Sequence, residues 1–455
     1  MTELPDLVAS VLDSTSGDEE VEAYAVHRIS TTIQAGTDAE IRHVGRAETR
    51  GLGVRVIGNG RLGYASTADL NPAAIRLAVE RARANAAASD VDEAQALPEA
   101  QALPAPPVTD GLEDLLHPAL SDASLADKIA LVEDLTRRVV SLDRRVSALD
   151  TAEYRDDQRT VAISSTRGVQ VVHSAGYVEL WSDALGEADH VRASDAAYQF
   201  GRTIAELDPE PLARDTVDRT LRLLGPRCSY RPGVPVVLDP DVVADLLTAI
   251  GKGLSGGAVS SGRTPFAAKI GTTVAAACVS LADDGRSPTS PMAAWYDDEG
   301  LPRRRTPLIE DGVLVGALHS TVTARAAGAA GSTGNARRAS HKSVPRAAAT
   351  SLVLEPTVSR TELLASLDEV IYIQQLSGSG SGINPVTGFV DVGGAGALLR
   401  RGEAVGRVQT LPIATTLMSF LRSVVAVGDD SYPVPLSSAA ASTVLCGNEL
   451  ISPGR

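Results

Sequence analysis

Residues 48–65 read Glu48-Thr49-Arg50-Gly51-Leu52-Gly53-Val54-Arg55-Val56-Ile57-Gly58-Asn59-Gly60-Arg61-Leu62-Gly63-Tyr64-Ala65, a hairpin punctuated by Gly58-Asn59-Gly60. Upstream, Val21 to Gln34 alternates as a half-buried strand does; downstream, Pro72 to Ala88 has helical periodicity with proline at its start. Strand, hairpin and helix therefore form the first unit. Residues 94–110, rich in alanine and proline, read as a connector without regular structure.

Helix resumes at Leu125 to Leu142, with Ser124 as cap and Leu125, Ile129, Val132, Leu135 and Val139 on one face; Asp127, Lys128, Glu133, Asp134 and Arg137 form the polar face. From Ser147 to Phe200, short alternating stretches separated by Gly168, Gly176 and Gly186 predict an antiparallel sheet, and Pro209 to Leu224 a closing helix. Three prolines between Pro226 and Pro235 mark a boundary. Beyond a helix over Asp241 to Lys252 come short strands between glycine, proline and asparagine clusters, with helices only at Arg360 to Leu367 and Thr415 to Val425. Alternation such as Gly312-Val313-Leu314-Val315-Gly316-Ala317-Leu318 belongs to a large antiparallel β structure. The fold class expected is α+β: a mixed α/β region over 1–225, then a β-rich carboxyl-terminal domain over 226–455.

Apolar residues make up 44% and charged residues 22% of the 455, a globular balance. The net charge of −15 opposes nonspecific binding to nucleic acid or anionic lipid. No apolar run is long enough for a bilayer span, and the amino terminus lacks a basic region followed by an apolar one, so a cytoplasmic location is expected. Cys228, Cys278 and Cys446 are widely spaced and read as free thiols, with Cys446 a buried small hydrophobe.

The seven histidines, His27, His43, His117, His173, His190, His319 and His341, show no metal-ligand spacing, so no catalytic zinc is expected. Gly253-Leu254-Ser255-Gly256-Gly257 matches a nucleophile elbow in letters only, because it follows a helix instead of joining strand to helix. Residues 301–350 carry Arg303, Arg304, Arg305, Arg325, Arg337, Arg338, Lys342 and Arg346 against only Glu310 and Asp311. That segment has no Phe, Trp or Tyr for stacking bases, which argues against nucleic acid; it reads either as a solvated loop or as a contact for an acidic surface or a peptide carboxylate.

Asp297-Asp298-Glu299-Gly300-Leu301-Pro302, Leu308 to Leu314, Ser332-Thr333-Gly334-Asn335-Ala336-Arg337, Ser381-Gly382-Ile383-Asn384-Pro385-Val386-Thr387-Gly388 and Val427-Gly428-Asp429-Asp430 follow Gly51 to Val56 in an order that resembles the TldD/TldE (PmbA) family. In that family TldD subunits carry a zinc helix, His-Glu-x-x-x-His, and TldE subunits do not; the two pair into a peptidase with the cleft between them. Here the corresponding residues are Leu247, Thr248 and Lys252, with Ser255 closing the motif, so the chain resembles the TldE side. An ammonium at Lys252 would repel a cation, but near a helix carboxyl end the residue reads first as a solvated lysine favoured by the helix dipole. The resemblance implies no catalytic residue and no metal in this chain, zinc in a TldD-like partner, a peptide substrate, and substrate contacts at Asn335, Arg337, Ser377, Gly378, Ser379, Gly380 and Asn384. Two alternatives stand beside it: an independent or biosynthetic enzyme with a repurposed zinc-free cleft, and a homodimeric binding module. Leu411 to Leu417 departs from the family pattern.

Overall fold

The expected hairpin is present in the computed structural model, which describes residues 3–15, 19–100, 112, 115–231 and 233–450. After α1 (Leu4–Leu12), strands β1 (Glu20–Ala35), β2 (Ile41–Gly58) and β3 (Arg61–Thr67) run antiparallel. Gly58 pairs with Arg61 across the turn, and Asn59 and Gly60 both take positive φ, 51° and 71°, as a two-residue hairpin turn with the sheet's twist requires. Helix α2 (Pro72–Ala88) starts at Pro72 behind Asn71, whose side chain accepts from the Ala74 N–H. Of the connector expected over 94–110, residues 101–110 lie outside the described residues; 95–100 form neither helix nor strand.

Helices α3 (Pro118–Asp122) and α4 (Leu125–Leu142) precede β4 (Val146–Ser165), β5 (Gln170–Ala188), β6 (Val191–Gly201) and α5 (Pro209–Arg222). Ser124 caps α4 by accepting from the Asp127 N–H. The apolar face of α4 is shifted from that expected. Leu125 is exposed, while Lys128 is buried with its ammonium 2.6 Å from Asp156. The six strands form one antiparallel sheet in the order β3-β2-β1-β4-β5-β6. Gly176 and Gly186, expected from sequence to separate strands, instead lie within β5. A Cβ on Gly176 would stand 2.8 Å from Leu120, and one on Gly186 2.7 Å from Leu224, so both glycines admit covering side chains. Only Gly168, at φ 86°, sits in a turn.

Alternation along β1 divides the sheet's two faces. Val21, Ala23 and Ala25 pack with α1 and α2, while Glu22, Tyr24 and Val26 point to the other side. β2 behaves likewise: Leu52, Val54 and Val56 join the helix-side core. Gly51, Gly53 and Arg55 face the second half of the chain, where a Cβ on Gly51 would lie 2.4 Å from the His341 ring.

That second half contains β7 (Val236–Leu238), α6 (Pro240–Gly253), α7 (Gly256–Ser260), β8 (Leu281–Asp284), β9 (Arg305–Glu310), β10 (Val313–Leu314), α8 (Thr321–Ala327), β11 (Ala336–Arg337), β12 (Arg346–Ala347) and β13 (Leu352–Leu354). It continues with α9 (Arg360–Ala365), β14 (Glu369–Ser377), α10 (Ser379–Gly382), β15 (Phe389–Arg400), β16 (Glu403–Thr416), α11 (Leu417–Ser423), β17 (Val424–Val427), β18 (Tyr432–Pro433), β19 (Ala440–Ala441) and β20 (Val444–Cys446). The stretch 312–318, expected to alternate as strand, gives only the two residues of β10. A six-stranded sheet, β16-β15-β14-β7-β20-β17, is antiparallel except where β7 runs parallel to β14. Helix α6 lies in the core with Val243, Leu247 and Ile250 fully covered, and Cys446 belongs to the same core. Burial pushes the Cys446 thiol up to about 12, and all three cysteines are free. Among the described residues no helix is long and apolar enough to cross a membrane.

Candidate functional site

The carboxyl end of α6 opens into a cavity of about 510 Å³. Lys252 is exposed on its wall; Ser255 follows, its hydroxyl accepting from the Ala258 N–H as the cap of α7. Pro385 and Val386 form another part of the wall. Their loop is held by Asn384, whose side-chain oxygen accepts from the N–H groups of Val386 (2.9 Å) and Thr387 (3.1 Å). Val386 is 54% exposed there. Arg346 and Ala347 of β12 complete the cleft, and among the described residues β12 pairs on one side only, with β11.

The lining includes Arg55, Lys252, Arg263 and Arg346 and no carboxylate. Among the described residues, Lys252, Arg263 and Arg346 make no direct ion pair, so the cleft wall is positively charged, with Asp245 acting on Lys252 only through space. Arg55 differs because it is buried and paired. Its Nη2 donates to Glu22 at 2.5 Å and its Nη1 to Glu299 at 3.1 Å. Burial would depress its guanidinium, but Glu22 and Glu299 hold it above its ordinary value. Glu299 also accepts from the Thr321 N–H at 2.9 Å, which ties α8 and the cleft wall to the first sheet.

This network extends further. Arg338 donates to Glu22 and lies 4.6 Å above the Tyr24 ring. Arg159 donates to Asp298 at 2.6 Å, and Asp298 also accepts from the Arg338 N–H at 2.7 Å. Burial would raise the Asp298 carboxyl, yet Arg159, Arg303 and Arg338 bring it down to about 2. Along the sequence Arg55, Asp298 and Glu299 carry no assigned role, and Arg338 stands only as part of the basic segment 301–350. The available signal was a lone arginine in an apolar strand and three consecutive acids before Gly300.

The positions corresponding to a zinc helix diverge. Leu247 is in the core, the Thr248 hydroxyl accepts from the Ser438 N–H at 3.4 Å, and Lys252 faces the cleft. None of these groups supplies a lone pair suited to zinc, so this donor set does not fit the metal. Among the described residues no three His, Cys, Asp or Glu are gathered as metal ligands.

The other sequence-singled residues are dispersed. Ser377 lines a separate hollow of about 310 Å³ with Asp241 and Asp245, and its hydroxyl donates to the Gly393 carbonyl at 3.2 Å. Gly378, at φ 80°, is the N-cap residue of the short α10; a hydrogen bond from Ser379 lowers the Asp245 carboxyl against its burial, and Gly380 faces open space. Asp241, Asp245, Thr248 and Lys252 lie at helical spacing on α6, so one stripe connects that hollow with the cleft. Asn335 is instead buried, its amide donating to Asp283 at 2.5 Å and to the Ala348 carbonyl at 3.4 Å. Arg337 borders a third hollow. A larger cavity of about 630 Å³, beside Tyr198, Phe200 and Tyr432, contains none of the singled-out residues.

Comparison with known proteins matches residues 21–86 to PmbA/TldA metallopeptidase domain 1, residues 118–224 to the central domain and residues 232–451 to the C-terminal domain. The metalloprotease PmbA of Escherichia coli O157:H7 is 24% identical, with 98% of this chain and 94% of that protein covered. A metalloprotease TldD homolog of Haemophilus influenzae is 25% identical over 72% of this chain and 69% of its own length. The crystal structure of TldE from Thermococcus kodakarensis superposes with a TM-score of 0.84 at 20% identity, covering 98% of this chain and 99% of that one, and so shares the fold. With all three domain models matched in order along the chain, this protein belongs to the PmbA/TldD metallopeptidase family.

Proposed function

We propose that this chain is the non-catalytic, TldE-like subunit of a heterodimeric zinc peptidase, completing a cleft that binds unfolded or modified peptides. Lys252 is the observation that carries the reading: an ammonium stands where a zinc subunit would place its second histidine, in a cleft without a carboxylate. Such a wall repels a divalent cation and attracts a peptide carboxylate or an acidic partner surface. The unpaired edge of β12 offers main-chain donors and acceptors to an extended peptide, a mode of binding that reads backbone shape with little sequence preference. Metal, base and attacking water come from the partner, and this chain holds and orients.

Recovery of the tagged chain from its own cells, followed by mass spectrometry and zinc analysis, tests the pairing. A stoichiometric partner bearing His-Glu-x-x-x-His, with peptide cleavage only when both chains are present, is expected. Stoichiometric zinc and peptide cleavage by the purified chain alone would overturn the proposal; metal-free turnover alone would favour the independent enzyme, and a homodimer without a partner the binding module.

A further inference from the structure

Beside the ion network, on the same face of the first sheet, lies a hollow of about 430 Å³ bordered by Arg159, His173, Met292, Arg303, Arg337 and His341. Two guanidinium groups converge at Met292. Arg303 Nη1 donates to its carbonyl at 2.6 Å, and Arg337 Nη2 lies 4.0 Å from its sulfur. Arg303 is 3% exposed. Neither arginine forms an ion pair among the described residues, although the neighbouring arginines do: Arg28 with Asp157, Arg159 with Asp298, and Arg338 with Glu22.

The nearby acids are already engaged. Asp283 accepts from the N–H groups of Thr350 and Ser351, the Thr350 hydroxyl and the Asn335 amide. Asp297 accepts from the N–H groups of Glu299, Leu301 and Ala336, and Asp298 is held by Arg159 and the Arg338 N–H. Buried nitrogens around the same hollow are left without partners: Arg303 Nε, His173 Nδ1 and both ring nitrogens of His341, which is 2% exposed. Leaving such groups unsatisfied costs free energy, and a bound acceptor would offset it at the N–H donors among them, Arg303 Nε and the protonated ring nitrogen of His341. Burial depresses the Arg337 guanidinium, and its neighbour Arg303 depresses it further, against the opposing pull of Asp298 and Asp283.

We propose that Arg303 and Arg337 anchor a ligand oxyanion in this hollow, a carboxylate or a phosphate whose several acceptor oxygens match two guanidinium forks. The site is separate from the cleft at the end of α6 and stands whether or not the chain pairs with a zinc subunit.

Calorimetric titration of the full chain with inorganic phosphate and, separately, with acetate at constant ionic strength tests this. One-to-one saturable binding of at least one anion is expected, and comparison of the two identifies the source of the oxyanion. Arg337→Gln is expected to weaken binding about tenfold or more, because hydrogen bonds to charged groups are the strong ones. Arg303→Lys, which keeps the charge but loses the fork, should also weaken it, whereas Lys252→Gln should bind as wild type. Absence of saturable binding by wild type, or equal affinity in folded Arg337→Gln and wild type, would overturn the proposal. Binding lost in Lys252→Gln and retained in Arg337→Gln would likewise do so, by moving the anion to the cleft.

Discussion

Two neighbouring regions on one face of the first sheet treat buried arginine in opposite ways. Around Glu22, each guanidinium is matched: Arg55 lies between Glu22 and Glu299, and Arg338 reaches Glu22 while resting over Tyr24. In the adjoining hollow, Arg303 and Arg337 have only neutral acceptors, the carbonyls of Met292 and Ala349 and the Met292 sulfur. The matched region joins the two halves of the chain, since Arg55 and Glu299 are 244 residues apart. Burying a charge is tolerable when a partner is buried with it. Arg303 and Arg337 have no directly bonded carboxylate, although Arg303 acts on Asp298 through space, and they keep donors available for another anion.

The largest effect should come from breaking the matched side. Glu22→Gln removes the negative charge shared by Arg55 and Arg338 and should destabilise the fold by about 3–5 kcal/mol, read from urea unfolding at neutral pH. A buried acid with no ion pair among the described residues supplies an intermediate case. Burial pushes the Glu179 carboxyl up to about 7, although Arg155 opposes the shift. The unfolded chain therefore releases this proton at lower pH than the folded one, so the contribution of Glu179 to stability falls as pH rises from about 4 to 7, by about 3 kcal/mol in total. Unfolding curves of Glu179→Gln measured across that window should lack this part of the slope. On the unmatched side, Arg337→Gln should change stability by less than about 1 kcal/mol, because no ion pair is lost, with thermal unfolding as the readout. Smallest of all, Lys252→Ala at the exposed cleft wall should stay within about 0.5 kcal/mol of wild type, and its effect should instead appear in partner or peptide affinity. An Arg337→Gln loss as large as that of Glu22→Gln would erase the contrast.

Much of the local architecture was legible. Helix α2 behind Asn71, α4 behind Ser124 and the Asn59-Gly60 turn follow from capping and backbone preference, which act within a few residues. The spacing of the motifs pointed to the family, and Lys252, Ser255 and the Asn384 loop do meet at one cleft. Less legible was the burial of Lys128, which depends on Asp156 in the facing strand. Gly176 and Gly186 read as breaks because their sequence neighbourhood does not reveal the leucines packed over them.

The candidate site was less accessible to sequence reading for the same reason. Asn335 and Arg337 share a motif but face different surroundings: one is bound to Asp283 in the interior, and the other borders a hollow. Ser377 and Asn384, also close in sequence, lie at separate cavities. The starts of α2 and α4, the hairpin turn and the blank zinc positions could be read along the chain, because capping, backbone preference and side-chain chemistry are local properties. Which arginine meets a carboxylate, which strand pairs in parallel, and which motif residue reaches a cavity depended on the packed molecule, because charge pairing and close approach are set by distance in space, across separations of up to hundreds of residues.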